Sequence, residues 1–400
     1  MPGHELIGKE EKQEVMDILE TGIFMRYGFD KERRGVYKVQ EFEKAVAAFL
    51  GVRHTLGVSS GSAALKVALI ALGIEPGDEI IVPAFTFIAT YEAVIEAGAI
   101  PVWADIDDSL NLDPEEIGRK ITARTKAVIP VHMCGAPARI DRIMELAREH
   151  NLLVLEDNAQ SIGGGLNGKK LGTFGDMGIL SFDYYKTITT GEGGMVLTND
   201  TDLYNRADWY HDHGHMHDPS VSRAQENRIL LGFNFRMNEF QGAVGLAQIG
   251  KLDFIISEQR KNKSAVKEML GDVEGVGFRH IPDPAGDTAT FLAFNLPTAE
   301  QTARFQKTLS ENGLDTVLFK ENKWHYAPRW DHLLARATGD SKQFPYTNPL
   351  YTGSVTYRIE DIPFAEDIMG RTLFMGVPVK MSGDRLNTIK QAIRKAVSVL

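Results

Sequence analysis

Between His54 and Leu197 the chain repeats a pattern that limits its fold more than any other feature. Short apolar runs recur at His54–Val58, Glu79–Val82, Ile100–Trp103, Ala127–Val131, Leu152–Glu156, Ile179–Phe182 and Gly194–Leu197. Helix-like stretches such as Ser62–Ala71 and Ile140–His150 separate most of the early ones. Strand and helix in alternation predict an α/β chain whose mostly parallel sheet lies between helical layers. In open sheets of this kind ligands bind outside the carboxyl ends of the strands. The residues that follow each run are therefore the candidates for chemistry. Asn167-Gly168, inside Gly163–Gly172, is a hairpin signal. From Asn238 to about Lys263 the spacing predicts one long helix, with Phe240, Val244, Leu246, Ile249 and Leu252 roughly on one face. The 400 residues exceed what one core comfortably supports. We therefore expect a large domain over 1–255 and a small α+β domain over 256–400, joined through that helix.

Four strand ends carry unusual residues. Lys186 follows the run that ends at Phe182, and Thr190-Gly-Glu-Gly-Gly194 leads into the next strand. A lone amine between two buried strands is placed to be desolvated, lose its proton and attack a carbonyl; a surface lysine is the plainer alternative. Leu152-Leu-Val-Leu-Glu-Asp157 ends in acids. Asp157 could face a pyridinium nitrogen or simply cap the next helix. Ser59-Ser60-Gly61-Ser62 joins a strand to a helix, where small residues with free N–H groups form a phosphate cradle or an ordinary turn. No Walker lysine and no GxGxxG stands there, which disfavours a P-loop or dinucleotide site. Phe85 and Phe87 follow Pro83. One of them could supply an aromatic face for a flat ring, and at least one belongs to the core.

The order of these elements, together with Gly77-Asp-Glu-Ile-Ile-Val-Pro83, Glu156-Asp-Asn-Ala-Gln160, Gly172-Thr-Phe-Gly-Asp176 and Gly232-Phe-Asn-Phe-Arg-Met237, resembles the DegT/DnrJ/EryC1/StrS sugar aminotransferases over nearly the whole length. The resemblance implies pyridoxal 5′-phosphate and the three-layer fold type I of its aminotransferases. It implies that Lys186 carries the cofactor covalently, that Asp157 partners its ring nitrogen and that Gln160 lies near its ring hydroxyl. By the same resemblance Phe87 stacks on the ring and Gly61, Ser62 and Ser181 contact the phosphate. Asn234 would reach the phosphate of the other subunit in a homodimer. Many relatives read Phe-His-Pro-Thr where this chain has Phe182-Asp-Tyr-Tyr185, so Tyr185 departs from the family pattern. One branch replaces the lysine by histidine and dehydrates sugars; Lys186 argues against that branch.

Within the family, Pro130-Val-His-Met-Cys-Gly135, Asp212-His-Gly-His215 and Asn322-Lys-Trp-His325 resemble the 8-amino-3,8-dideoxy-manno-octulosonate transaminases. That resemblance implies glutamate as amino donor and the C8 aldehyde of an octulosonate as acceptor, for lipopolysaccharide sugar biosynthesis. The alternatives are a nucleotide-linked keto sugar as acceptor, or a cofactor-binding sensor without catalysis. A carboxylate acceptor needs a local cation, since the net charge is −10; His215, Lys320, Lys323 and His325 are candidates.

The acidic balance, with no basic block, argues against nucleic acid. A single cysteine, Cys134, excludes an intrachain disulfide framework and fits a reducing cytoplasm. We read no signal peptide at the N-terminus and no apolar run near the ~20 residues of a membrane span. The alternate histidines of His211–His217 invite a metal reading, but no second ligand cluster accompanies them and we expect a loop without metal.

Overall fold

The computed structural model describes residues 3–218, 220–398 and 400. The seven apolar runs become the seven strands of one sheet: β1 (His54–Val58), β2 (Glu79–Pro83), β3 (Ile100–Ala104), β4 (Thr125–Val128), β5 (Leu153–Asp157), β8 (Met177–Ser181) and β9 (Gly194–Thr198). Between β5 and β8 lies the hairpin of β6 (Gly165–Leu166) and β7 (Lys169–Lys170). Its turn residues Asn167 and Gly168 both have positive φ, the type I′ requirement that their sequence signalled. Strand order in the large sheet is β1-β9-β8-β5-β4-β2-β3. Only β9 runs against its neighbours; β8, β5, β4, β2 and β3 pair in parallel. Leucine, isoleucine and valine side chains on both faces pack into separate clusters. This is the two-sided burial that parallel strands need.

Beyond the large sheet, β10 (Gly277–Phe278), β11 (Phe291–Asn295), β12 (Val317–Leu318) and β13 (Thr372–Gly376) form a second, antiparallel sheet in the order β10-β11-β13-β12. The long helix expected over Asn238–Lys263 is two helices, Glu239–Ile249 and Leu252–Gly271. The break falls at Gly250-Lys251, where Lys251 Nζ donates to the Leu6 carbonyl at 2.8 Å and to Glu11 at 2.6 Å. Ile255 and Ile256 of the second helix pack with the large-sheet core, whereas Val266 and Leu270 pack with the small sheet. The expected division at 255/256 therefore falls inside a helix shared by both cores. We propose it as a working boundary, since the two sheets lie on either side of it in sequence. The segment after β12 folds back: Phe319, Tyr326 and Trp330 join Phe85, Tyr91 and Trp103 in the first core. That return places residues 319–326 over the carboxyl ends of the large-sheet strands. No described helix is long and apolar enough to cross a membrane.

Candidate active site

A cavity of about 690 Å³ opens where β5 and β8 end and the helix Gly61–Ala71 begins. Its walls include Ser60, Gly61, Ser62, Phe87, Asp157, Gln160, Ser181, Lys186 and His325. Eight of these nine are residues singled out from sequence; the ninth, Ser60, belongs to the same cradle segment.

The cradle is built by a tight contact between strands and helix. Ser60 caps the helix, its Oγ accepting the Ala63 N–H at 3.0 Å and its carbonyl the Ala64 N–H at 3.0 Å. Gly61 and Ser62 open the helix, where the leading N–H groups have no intrahelical partner, and both line the cavity. A Cβ on Gly194 would meet the Ser60 carbonyl at 2.2 Å, so the turn lies directly on β9. A Cβ on Gly61 would meet Ser181 Cβ at 2.7 Å. Two bare N–H groups, the positive end of a helix and two serine hydroxyls make an anion site.

Asp157 ends β5 and is 3 % exposed. Its Oδ1 accepts the Ala159 N–H at 3.1 Å and its Oδ2 the Thr90 hydroxyl at 2.9 Å. Burial raises its pKa, against the pull of those two donors and of the Lys186 and His132 charges. The neighbouring Glu156 is wholly structural: it accepts the N–H groups of Gly172, Phe174 and Gly175 and faces His132 Nε2 at 3.0 Å. Those bonds tie the β5 end to the loop before β8. Gln160 Oε1 accepts the Cys134 N–H at 3.0 Å, which fixes the side chain at the cavity wall.

Lys186 reaches the cavity from the loop after β8, with Nζ 5.8 Å from the centre of the Phe87 ring. Burial lowers its pKa, opposed by the charges of Asp183, Asp157 and Cys134. Disfavouring the charged form of a lysine favours its nucleophilic, unprotonated form.

The folded-back segment closes the far side. Thr86 N–H donates to the His325 carbonyl at 3.0 Å and Ile88 N–H to that of Trp324 at 2.9 Å. Trp324 lies parallel to Phe87, centres 5.8 Å apart at 4°. Asn322 Oδ1 accepts the Trp324 N–H at 2.8 Å and lies 3.2 Å from His325 Nδ1. Burial first and the Lys186 charge second push the His325 pKa down to about 4, so this ring is neutral at pH 7. It offers the site hydrogen bonding and no positive charge.

Four expected residues lie away from this cavity. Lys323 is exposed, 3.4 Å from Asp331. Lys320 pairs with Glu366 at 2.6 Å. His215 is buried against Glu226 and lies 3.0 Å from Arg228 Nη2. Asn234 is exposed and pairs by backbone with Asp212. Among the described residues no group of three or more His, Cys, Asp or Glu is arranged to hold a metal. The histidine-rich loop is instead tied by ion pairs: His217 lies 2.8 Å from Asp208 and 2.9 Å from Asp212. Thr86, Thr90 and Asp183 line the cavity without having been singled out from sequence.

The family model described as DegT/DnrJ/EryC1/StrS aminotransferase family matches residues 5–352. The chain belongs to that family. It shares 33% identity over 404 residues with the spore coat polysaccharide biosynthesis protein SpsC of Bacillus subtilis, covering 98% of this chain and 95% of that one. A GDP-perosamine synthase of Caulobacter vibrioides is 46% identical over 220 residues, covering 54% of this chain and only 57% of the relative's length. The crystal structure of 3-amino-5-hydroxybenzoic acid synthase superposes with a TM-score of 0.81 at 29% identity, covering 98% of this chain and 97% of that one. The fold is thus that of the type I aminotransferases, and the cofactor of this aminotransferase family is pyridoxal 5′-phosphate. The cavity fits it: an anion cradle, an amine whose charged form burial disfavours and a buried carboxylate line the same space.

Proposed function

We propose that the chain transfers the amino group of glutamate to a carbonyl sugar. One observation carries this reading: a desolvated amine and a desolvated carboxylate, from two strand ends, line one cavity with a helix-start anion cradle. Bound there, pyridoxal phosphate would supply an aldehyde for the amine and a ring that withdraws electrons from the donor's α-carbon. Lys186 would hold the cofactor through its Nζ. Once released, the same Nζ would take the α-proton as base and return it as acid. Asp157 would keep a proton on the ring nitrogen and so make the withdrawal effective. Gly61, Ser62 and Ser181 would anchor the phosphate, Phe87 would face the ring and Gln160 its hydroxyl. The retained, desolvated Lys186 speaks against a pure sensor, which has no use for a nucleophile.

The working unit in this reading is a homodimer, with Asn234 serving the neighbouring site. Its support is the position of Asn234, outside this chain's cavity beside exposed Leu231 and Phe233. Leu231 is 97 % exposed, an apolar surface that a second copy would cover.

For the acceptor we propose the C8 aldehyde of 3,8-dideoxy-8-oxo-manno-octulosonate. Asn322, Trp324 and His325, three of the residues that carry this resemblance, line the cavity opposite the cradle. With His325 neutral, the cation for the acceptor carboxylate would come from elsewhere, from the exposed Lys323 beside the cavity wall or from the partner subunit. A nucleotide-linked keto sugar is the second reading, favoured by the GDP-perosamine synthases among the relatives. Glutamate-dependent amination of both acceptor types at matched concentration, read by mass, separates them. Turnover of the octulosonate aldehyde is expected; turnover of the nucleotide-linked sugar alone would overturn the acceptor assignment and leave the transaminase reading intact.

A further inference from the structure

Asp157 is not held by backbone alone. Its Oδ2 lies 2.9 Å from the Thr90 hydroxyl, and that hydroxyl lies 2.8 Å from the Thr86 hydroxyl. Both threonines are fully buried, at 0 % exposure. The direction of the chain of hydroxyls follows from valence. An ionised carboxylate can only accept, so Thr90 gives its single proton to Asp157. Thr90 can then only accept from Thr86, which must spend its own proton on Thr90. With Asp157 ionised the order is Thr86 to Thr90 to Asp157, and each bond polarises the next in a dry environment. The relay has a second anchor. Thr86 N–H donates to the His325 carbonyl at 3.0 Å, and a backbone bridge joins Phe85 to Tyr326. The segment that walls the acceptor side of the cavity therefore rests on the residue that starts the relay.

We propose that Thr90, supported by Thr86, is a positioning residue that aims the Asp157 carboxylate into the cavity and holds it ionised. One hydroxyl and one N–H occupy a lone pair on each oxygen, and the remaining lone pairs are free for a cationic ring. The proposal rests on the cavity being the pyridoxal phosphate site, but not on the identity of the acceptor. Lys186 and His132 are the charged or titratable groups whose fields also act on Asp157.

The test uses Thr90→Val, which keeps the shape and removes the hydroxyl, with Thr90→Ser as rescue and Thr86→Val as a milder second variant. Carbon-13 NMR of the Asp157 carboxyl in the apoenzyme follows its titration directly. Loss of a hydrogen bond to a charged group should move that titration up by about one pH unit in Thr90→Val. Thr90→Ser should return it to the wild-type value, and Thr86→Val should give a smaller upward move. In the loaded enzyme, Thr90→Val should slow the glutamate half-reaction about tenfold with the KM for glutamate little changed. If Thr90→Val folds and titrates as wild type does, the proposal fails. It fails equally if Thr90→Ser does not rescue, because the hydroxyl would then not be the active element. A normal NMR shift with no half-reaction in wild type would instead sink the catalytic reading and leave the relay standing.

Discussion

Gly61→Ala gives the sharpest test of the anion cradle. The added Cβ would stand 2.7 Å from Ser181 Cβ, 2.9 Å from its Oγ and 3.4 Å from its Cα. Carbon atoms in contact settle at about 3.5–4.0 Å, so something must yield by about 1 Å. The nearest obstacle is a Cβ joined to strand backbone rather than the end of a flexible side chain. Either the start of the helix or the end of β8 must shift, at about 1–3 kcal/mol of stability. Either shift withdraws N–H groups from the phosphate position. Each charge-assisted hydrogen bond lost is worth about 1.5–3 kcal/mol, so cofactor affinity should fall roughly ten- to hundredfold. The assay is fluorescence titration of the apoenzyme with pyridoxal phosphate and, separately, with pyridoxal. The second ligand has no phosphate and should bind the variant and the wild type about equally. Unchanged phosphate-ester affinity in a folded Gly61→Ala protein would refute the cradle. An equal loss for both ligands would assign the defect to general distortion.

Other expected outcomes follow from neighbouring groups. Asp157→Asn should fold yet raise the barrier of the half-reaction by about 3 kcal/mol or more, measured by single-turnover absorbance, because an amide cannot hold the ring proton. Glu156→Ala should cost about 3 kcal/mol in denaturant melts, since it strands three buried N–H donors at once. His217, between Asp208 and Asp212, has its pKa raised to about 9 from 6.5. A raised folded-state value means its stabilisation is complete below about pH 6.5 and is lost as pH rises through about 9. Wild-type stability should fall across that window in urea melts, and His217→Gln should flatten the slope.

The large sheet was legible because each strand announced itself by an apolar run between turn residues, and all seven fell within three residues of the observed ends, the run at Ala127–Val131 being the furthest off. Lys186, Asp157 and the Ser60–Ser62 turn were legible because chain order alone places strand ends side by side in a parallel sheet. What escaped is tertiary. The break at Gly250-Lys251 accompanies contacts of Lys251 with Leu6 and Glu11, which no helical periodicity records. His325 was weighed as a cation, but burial beside Lys186 makes it neutral, and burial is invisible in composition. Lys320 looked free in sequence and is engaged with Glu366 across the fold. Thr90 was missed because nothing local distinguishes a hydroxyl in a helix from one that supports a carboxylate two strands away.

The central claim is that Lys186 is the covalent anchor of the cofactor. Borohydride reduction of the loaded enzyme, followed by proteolysis and peptide mass mapping, tests it without reference to any sugar. A single pyridoxyl-phosphate adduct is expected on the peptide containing Lys186, absent in Lys186→Ala. An adduct on another lysine, or none in a protein that has bound the cofactor, would contradict it.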